Sequence, residues 1–131
     1  MLLTSLLLAA SQPAVPSASR AAERALFEQI VEMQTVAGKP QELRRLTTLL
    51  RSEFAKAGIR DVVIKDHDNT QTFIARWRSP RPSGKKPILL LAHMDVVEAN
   101  PSDWTHPPFE FREKEGWYLG RGTHDNKASL T

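Results

Sequence analysis

The first half of the chain places apolar residues with the 3.6-residue period of an α-helix in two consecutive stretches, residues 21–37 and 41–57. The apolar positions are Leu26, Ile30 and Met33 in the first stretch, and Leu43, Leu46, Leu50 and Phe54 in the second. Gly38 can close the first helix, and Pro40 can open the second at its first turn. The pattern predicts two amphipathic helices that pack on a core.

The period changes after the second helix. Residues 61–65 and 70–77 are rich in β-branched and aromatic side chains, and the four residues between them are typical of a turn. This pattern predicts a β-hairpin. Residues 88–92, with the sequence ILLLA, predict a strand in the centre of a sheet that is covered on both faces. A long irregular segment then leads to a short strand at residues 117–122.

This order of elements indicates an α/β fold class, a mixed sheet flanked by helices, over residues 21–131. Residues 126–131 resemble the first turn of a further helix. A domain that stopped there would leave a sheet edge and a core face uncovered. We therefore expect residues 21–131 to be the N-terminal portion of a larger domain, incomplete at its C-terminus.

Residues 1–20 are interpreted as a signal peptide or a disordered extension. Residues 1–10 are mostly apolar but too few to span a bilayer, so no stable membrane span is expected. Small residues at 17–19 fit a cleavage site, although no Lys or Arg follows Met1 at the start. A signal peptide predicts a periplasmic or secreted protein, whereas a simple extension or a misassigned start codon predicts a cytoplasmic one.

Composition narrows the possible chemistry. The 131 residues are 40% hydrophobic, which suits one modest core. The formal net charge is +3 with both signs interspersed, so no basic face for nucleic acid is expected. The chain contains no cysteine, which excludes disulfides and thiolate metal sites. Any metal ion would have to be bound by His, Asp and Glu.

His93 and Asp95 follow directly on the apolar run 88–92. Residues i and i+2 of an extended segment point to the same side, so these two side chains share a face and Met94 points inward. A carboxylate beside an imidazole can fix its tautomer and leave the other nitrogen free as a ligand or base. The pattern alone is common, however, and a structural pair at a strand end is the more frequent case.

Residues 120–129, GRGTHDNKAS, contain glycines shortly before a lysine. A phosphate-binding P-loop is excluded, because Lys127 is neither preceded by glycine nor followed by Ser or Thr. The alternative is a tight turn that presents Asp125 at the carboxyl end of a strand, where α/β sheets place their sites. His93 and Asp125 would then meet at the same rim of the sheet.

Three segments, AHMDVV, DWTHPPFEF and EGWYLGRGTHDNKAS, together resemble the N-terminal part of the M20 metallopeptidase family. The likeness covers about residues 20–131 and is specific from Leu89 onward. It implies that His93 is a zinc ligand, that Asp125 bridges two metal ions, and that Asp95 is the catalytic carboxylate orienting the ring of His93. It also implies a cis peptide bond between Asp125 and Asn126.

The family includes carboxypeptidases, dipeptidases and N-acyl-amino-acid deacylases. The resemblance therefore implies two Zn²⁺ ions, or Co²⁺ or Mn²⁺, and hydrolysis of a peptide or N-acyl amide bond in a peptide or N-acyl-amino-acid substrate. The family's general-base glutamate and its other metal ligands lie beyond Asp125, as does a lid domain through which the complete protein could form a homodimer. The chain alone is expected to be inactive. The alternatives are a deacylase rather than a peptidase, or a non-catalytic truncated product that serves as an interaction module.

The remaining candidates are assigned supporting positions. His67, His106 and His124 are interpreted as turn, loop and surface residues. Trp104 and Phe109 are expected to pin the loop between the two motifs to the body of the protein. The resemblance implies that Arg121 and Lys127 hold the turn electrostatically.

Overall fold

A computed structural model describes residues 16–81 and 83–131 of the chain. Two helices come first, α1 (Ser17–Glu32) and α2 (Pro40–Lys56). Four strands follow: β1 (Val62–His67), β2 (Thr70–Ala75), β3 (Arg112–Lys114) and β4 (Trp117–Leu119). Two short 3₁₀ helices span Pro101–Asp103 and Lys127–Leu130. Most of the interpreted signal peptide, residues 1–15, lies outside the described residues, and α1 begins within its remaining part.

Both predicted helices are confirmed, with different ends. α2 begins at Pro40, as expected of a proline at the first helical turn. α1 ends at Glu32 rather than near Gly38, because Met33 turns out of the helix with φ −74° and ψ 119°. The residues after Met33 leave the helix, and Thr35 among them contacts a segment far along the chain. Helical periodicity alone cannot show that change of direction.

The first predicted hairpin is also confirmed. β1 and β2 pair antiparallel, with Val62 opposite Ala75 and His67 opposite Thr70. The hairpin packs on α2, where Phe54 meets Phe73 with ring centroids 5.4 Å apart. These contacts bury the apolar side of α2.

Two apolar clusters hold the helices in place. The larger one joins Ile30 and Met33 at the end of α1 to Leu46 and Leu50 of α2, and Met94 packs against it. The smaller one contains Phe27 and Val31, on a neighbouring side of α1, and Phe111, which directly precedes β3. Tyr118 of β4 packs against Phe27 and Phe111. The end of α1 therefore lies between the two clusters.

The hairpin of β3 and β4 was missed in part. The short strand predicted at residues 117–122 exists as Trp117–Leu119, but its partner β3 lies in the segment expected to be irregular. Glu115 and Gly116, both with positive φ, form the two-residue turn between the strands. β3 has the sequence REK, which carries neither apolar alternation nor β-branched residues. Its strand signal was therefore too weak to recognise.

The prediction of a central strand at residues 88–92 is wrong. The segment belongs to no strand, and Ile88 and Leu90 are 89% and 87% exposed. The predicted α/β class is confirmed, since the chain combines helices and strands. Within residues 16–81 and 83–131, however, the strands form two separate two-stranded antiparallel sheets, and no mixed sheet is formed there. A continuous apolar strand needs neighbours on both edges and both faces, and the described residues supply neither. The further helix start at residues 126–131 is a short 3₁₀ helix, Lys127–Leu130.

None of the helices in the described part of the chain combines the length and the apolar character needed to cross a membrane.

Candidate metal centre

The first site segment, residues 93–96, alternates between exposed and inward-facing side chains. His93 and Asp95 are exposed, Met94 is half-buried against the larger cluster, and Val96 is 5% exposed. This alternation confirms the expected placement of both polar side chains on one face. Thr35 bonds to the main chain of this segment and keeps it against the end of α1.

The second site segment is the turn over residues 120–127. Gly122 has φ +87°, and a Cβ atom there would lie 2.8 Å from Val96 Cγ1, so only glycine fits. The Lys127 amide closes the turn by donating to the Gly122 carbonyl at 2.9 Å. The peptide bond between Asp125 and Asn126 is cis, as the resemblance implied. The glycine turn therefore presents Asp125 outward, as predicted.

His93, Asp95 and Asp125 come together at one place on the surface. His93 Nε2 lies 2.8 Å from Asp125 Oδ1, although the two residues are 32 positions apart. On the other side of the ring, Nδ1 lies 3.0 Å from the Asp95 carbonyl oxygen and 3.4 Å from Asp95 Oδ1. The ring is thus held between the two aspartates, with the Asp95 carbonyl closer than its carboxylate. His93 and Asp125 are therefore brought together by two anchored loops, and not by strand ends at one rim of a sheet as predicted.

This arrangement raises the pKa of His93. The hydrogen bond to Asp125 is the largest cause, the Asp95 carbonyl adds to it, and partial burial opposes both. A neutral imidazole carries one N–H, whereas both ring nitrogens here face acceptor oxygens. The doubly protonated ring therefore fits the metal-free geometry best.

Lys127 is fully buried beside the site. Its ammonium donates to the carbonyls of Ile30 at 2.8 Å and Val31 at 3.3 Å, and to that of Met33. The Ile30 and Met33 carbonyls also accept main-chain hydrogen bonds, from the Met33 and Thr35 amides, so the ammonium adds a second donor to each. Burial lowers the pKa of Lys127 to about 8, with Glu42 opposing the shift, so the charged form still predominates at pH 7. The expected electrostatic role of Lys127 in holding the turn agrees with these contacts.

The donors that meet here fit a zinc ion chemically. An imidazole nitrogen and a carboxylate oxygen both bind Zn²⁺ at about 2.0–2.2 Å, which separates tetrahedral donors by roughly 3.3 Å. Nε2 and Oδ1 are 2.8 Å apart, which is a hydrogen-bond distance, so in the metal-free protein a proton lies between the two atoms that would hold an ion. No group of three or more His, Asp or Glu residues suited to a metal occurs in the described part of the chain. His93 and Asp125 thus supply two donors, which is fewer than the three protein ligands of a typical catalytic zinc site.

A depression of about 340 Å³ adjoins His93 and Asp125, and Arg121 and His124 also line it. The Arg121 guanidinium lies 5.1 Å from the centre of the Trp104 ring, which in turn meets His106 edge-on. Trp104 therefore ties its loop to the site turn, in line with its expected pinning role.

The remaining candidates lie as follows. His124 is exposed, as expected. His67 is the last residue of β1 rather than part of the turn, and its Nε2 lies 3.0 Å from Thr72 Oγ1. Phe109 is half-buried and lines a second depression next to Pro107 and Pro108.

Sequence reasoning missed Thr35. It is a buried threonine just beyond α1, and its contacts are made to main-chain atoms about 60 residues further along. No spacing or motif in the sequence marks it.

Comparison with known proteins points to one family. Residues 89–131 match the model of peptidase family M20/M25/M40. The matched range contains His93, Asp95 and Asp125, the residues that the structure brings together.

Individual relatives extend the likeness towards the N-terminus. The chain is 35% identical over 106 residues to a "Probable succinyl-diaminopimelate desuccinylase" of Staphylococcus aureus, covering 80% of this chain and 24% of that protein. It is 33% identical over 114 residues to an N-fatty-acyl-amino acid synthase/hydrolase of Danio rerio, covering 79% of this chain and 21% of that protein. A protein of Bos taurus with the same description is 30% identical over 132 residues, covering 91% and 25%. The chain thus spans about a quarter of the length of the curated relatives it matches.

Proposed function

We propose that this chain contributes to a metal-dependent hydrolase that cleaves amide bonds. The premise is that the chain belongs to peptidase family M20/M25/M40. The proposed substrates carry an N-acyl amide or peptide bond close to a free carboxylate. The observation that carries the proposal is the position of His93, whose ring lies between Asp95 and Asp125 within hydrogen-bond range of both residues.

The three residues have distinct proposed roles. His93 would hold a divalent ion through its imidazole, and Asp125 would hold that ion and a second one through its carboxylate. Asp95 fixes the ring by accepting at Nδ1, which keeps Nε2 free of its proton for the metal. Two bound ions, zinc in the first instance, would polarise the amide carbonyl and lower the pKa of a water molecule. The remaining ligands and the general base are proposed to come from outside residues 16–131.

The names of the relatives favour N-acyl substrates. One describes a desuccinylase and the other an N-fatty-acyl-amino acid synthase/hydrolase, and both refer to an acyl group on an amino acid. We therefore place N-acyl amino acids first and peptides second. Under the third candidate, a non-catalytic interaction module, neither class would be hydrolysed.

The test compares wild-type protein with His93→Ala. The complete protein is loaded with zinc, its metal content is measured by elemental analysis, and hydrolysis is followed for N-succinyl amino acids, N-fatty-acyl amino acids and dipeptides. We expect His93→Ala to lose bound metal and hydrolysis together. The loss should exceed the roughly 10–100-fold that removal of an outer-shell partner causes, since a direct ligand is removed.

The matched control is His67→Ala, which removes an exposed histidine at the end of β1. It should keep both metal and activity. Full zinc content in His93→Ala would refute the ligand role. Failure of the wild-type protein to hydrolyse any member of the panel would favour the interaction module.

A further inference from the structure

We propose that residues 30–35, at the end of α1, form a shared support for both site segments. In this proposal Thr35 and Lys127 are positioning residues that fix the separation of His93 and Asp125. The proposal rests on the proposed function only where zinc is the readout, because the support itself is a property of the metal-free protein.

Thr35 holds the first site segment on both sides of Asp95. Its hydroxyl donates to the Met94 carbonyl at 2.7 Å. Its own carbonyl accepts from the Val96 amide at 3.0 Å. Because these bonds engage the residues immediately before and after Asp95, they fix the direction in which His93 and Asp95 leave the main chain. Thr35 is only 2% exposed, so water does not compete for these bonds.

Lys127 holds the second site segment on the same support. Its ammonium reaches carbonyls of three residues in this stretch, Ile30, Val31 and Met33. Its amide closes the turn on Gly122, and a Cβ atom at Gly122 would lie 3.0 Å from the Lys127 side chain. The lysine therefore joins the turn that carries Asp125 to the same stretch of main chain that Thr35 joins to His93.

The support is packed into the apolar clusters, whereas the groups it positions are exposed. Ile30 and Met33 belong to the larger apolar cluster and Val31 to the smaller one, so both clusters fix residues 30–35. The His93 side chain is 48% exposed and that of Asp125 79% exposed. Exposed side chains are not fixed by packing. Their separation therefore depends on how the main chain beneath them is anchored.

The test uses Thr35→Val, which removes the hydroxyl and preserves the shape of the side chain, and Thr35→Ser, which restores a hydroxyl. Thr47→Val is the matched control, because Thr47 is an equally buried threonine whose hydroxyl bonds to the Arg44 carbonyl and to Gln71. Both valine variants lose a buried hydroxyl, but only Thr35 contacts a site segment. Thermal unfolding of each variant records the general loss of stability.

The first readout is zinc affinity, measured by competition with a chelator on the complete protein. Thr35→Val should bind zinc roughly 10–100-fold more weakly than wild type, the range found when a partner that orients a ligand is lost. Thr35→Ser should recover most of the affinity. Thr47→Val should bind zinc like wild type even though its unfolding midpoint falls.

The second readout needs no metal. The ¹⁵N signals of the His93 ring, in histidine-labelled, zinc-free protein, report whether Nε2 remains bonded to Asp125. They should shift in Thr35→Val and stay unchanged in Thr47→Val. Lys127→Met should shift them as well, but it removes three buried hydrogen bonds at once and can unfold the protein. The threonine variants therefore decide the result.

Two results would overturn the proposal. One is an unchanged His93 ring signal in Thr35→Val. The other is an equal change in Thr35→Val and Thr47→Val, which would reduce Thr35 to a general contributor to stability. If wild-type protein bound no zinc, the proposed function would fail, while the ring signals would still decide whether Thr35 positions His93.

Discussion

Residues 88–92 and residues 93–96 are consecutive, yet they behave in opposite ways. The first segment is the most continuously apolar stretch of the described chain, and its side chains from Ile88 to Leu91 are exposed. The second mixes apolar and polar residues, and it is fixed to the end of α1 through Met94 and Val96. Hydrophobicity favours burial, but a segment becomes buried only where the chain provides it with a partner.

The helices satisfy this condition within the described residues. α1 and α2 each present an apolar face to the larger cluster, and α1 also packs in the smaller one. An apolar strand needs partners on two edges and two faces, whereas an amphipathic helix needs a partner on one face only. Leu43, Leu46 and Leu50 are therefore buried in α2, whereas the leucines of residues 88–92 are exposed.

The largest expected effect comes from the same substitution, leucine to alanine, made once in the helices and once in residues 88–92. Leu46→Ala removes a fully buried side chain from the larger cluster, whereas Leu90→Ala removes one that is 87% exposed. Leu46→Ala should lower the free energy of unfolding by about 2–5 kcal/mol. Leu90→Ala should change it by no more than about 0.5 kcal/mol. Urea denaturation followed by circular dichroism measures both values.

A loss of several kcal/mol in the free energy of unfolding for Leu90→Ala would contradict this contrast, since it would mean that residues 88–92 are buried in solution. A negligible cost for Leu46→Ala would equally show that the cluster between the helices does not hold the fold.

A smaller effect is expected in amide hydrogen exchange across the boundary between the two segments. The Val96 amide donates to the Thr35 carbonyl at 3.0 Å, next to a buried side chain. The Leu90 amide lies in a segment that belongs to no strand. After correction for intrinsic rates, Val96 should exchange at least about tenfold more slowly than Leu90. Rates measured in urea provide the unfolded reference, and equal protection of the two amides would contradict the contrast.

Periodicity predicted the parts of the fold that depend on local pattern. Both helices were recognised because their apolar positions repeat with a helical period, and the first hairpin because two segments rich in β-branched and aromatic residues flank a typical turn. The strand at residues 88–92 was wrong, because a continuous apolar run states that partners are needed and not that they are present. β3 was missed because REK carries no apolar alternation.

The site shows the same division. Alternation placed His93 and Asp95 on one face, and the glycines before Asp125 predicted an exposed turn, so these side chains could be found from the sequence. Their separation could not, because it depends on Thr35. The partner of the Thr35 hydroxyl is a carbonyl 59 residues away, and any residue in that position has one. A contact with the main chain leaves no mark in the sequence of the segment contacted.

The smallest expected effect concerns His93, the first residue of the segment 93–96, because the contact with Asp125 raises its pKa. In zinc-free protein, the His93 ring should titrate above its ordinary value of 6.5, and Asp125→Asn should bring the midpoint down towards that value. The contact raises the pKa of His93 in the folded state, so it stabilises the folded protein. This stabilisation is fully present below pH 6.5 and is lost as the pH rises through the raised pKa. Histidine ring signals followed by NMR across this range give the midpoint.

The matched control is Asp68→Asn in the turn between β1 and β2, which should leave the His93 midpoint unchanged. The same proton competes with a metal ion for Nε2, so zinc should bind more weakly as the pH falls through the raised pKa of His93. An unchanged midpoint in Asp125→Asn would mean that the 2.8 Å contact does not persist in solution. Residues 93–96 would then still be anchored at Thr35, but His93 would not contact Asp125 without a metal. Zinc itself would have to bring His93 and Asp125 together.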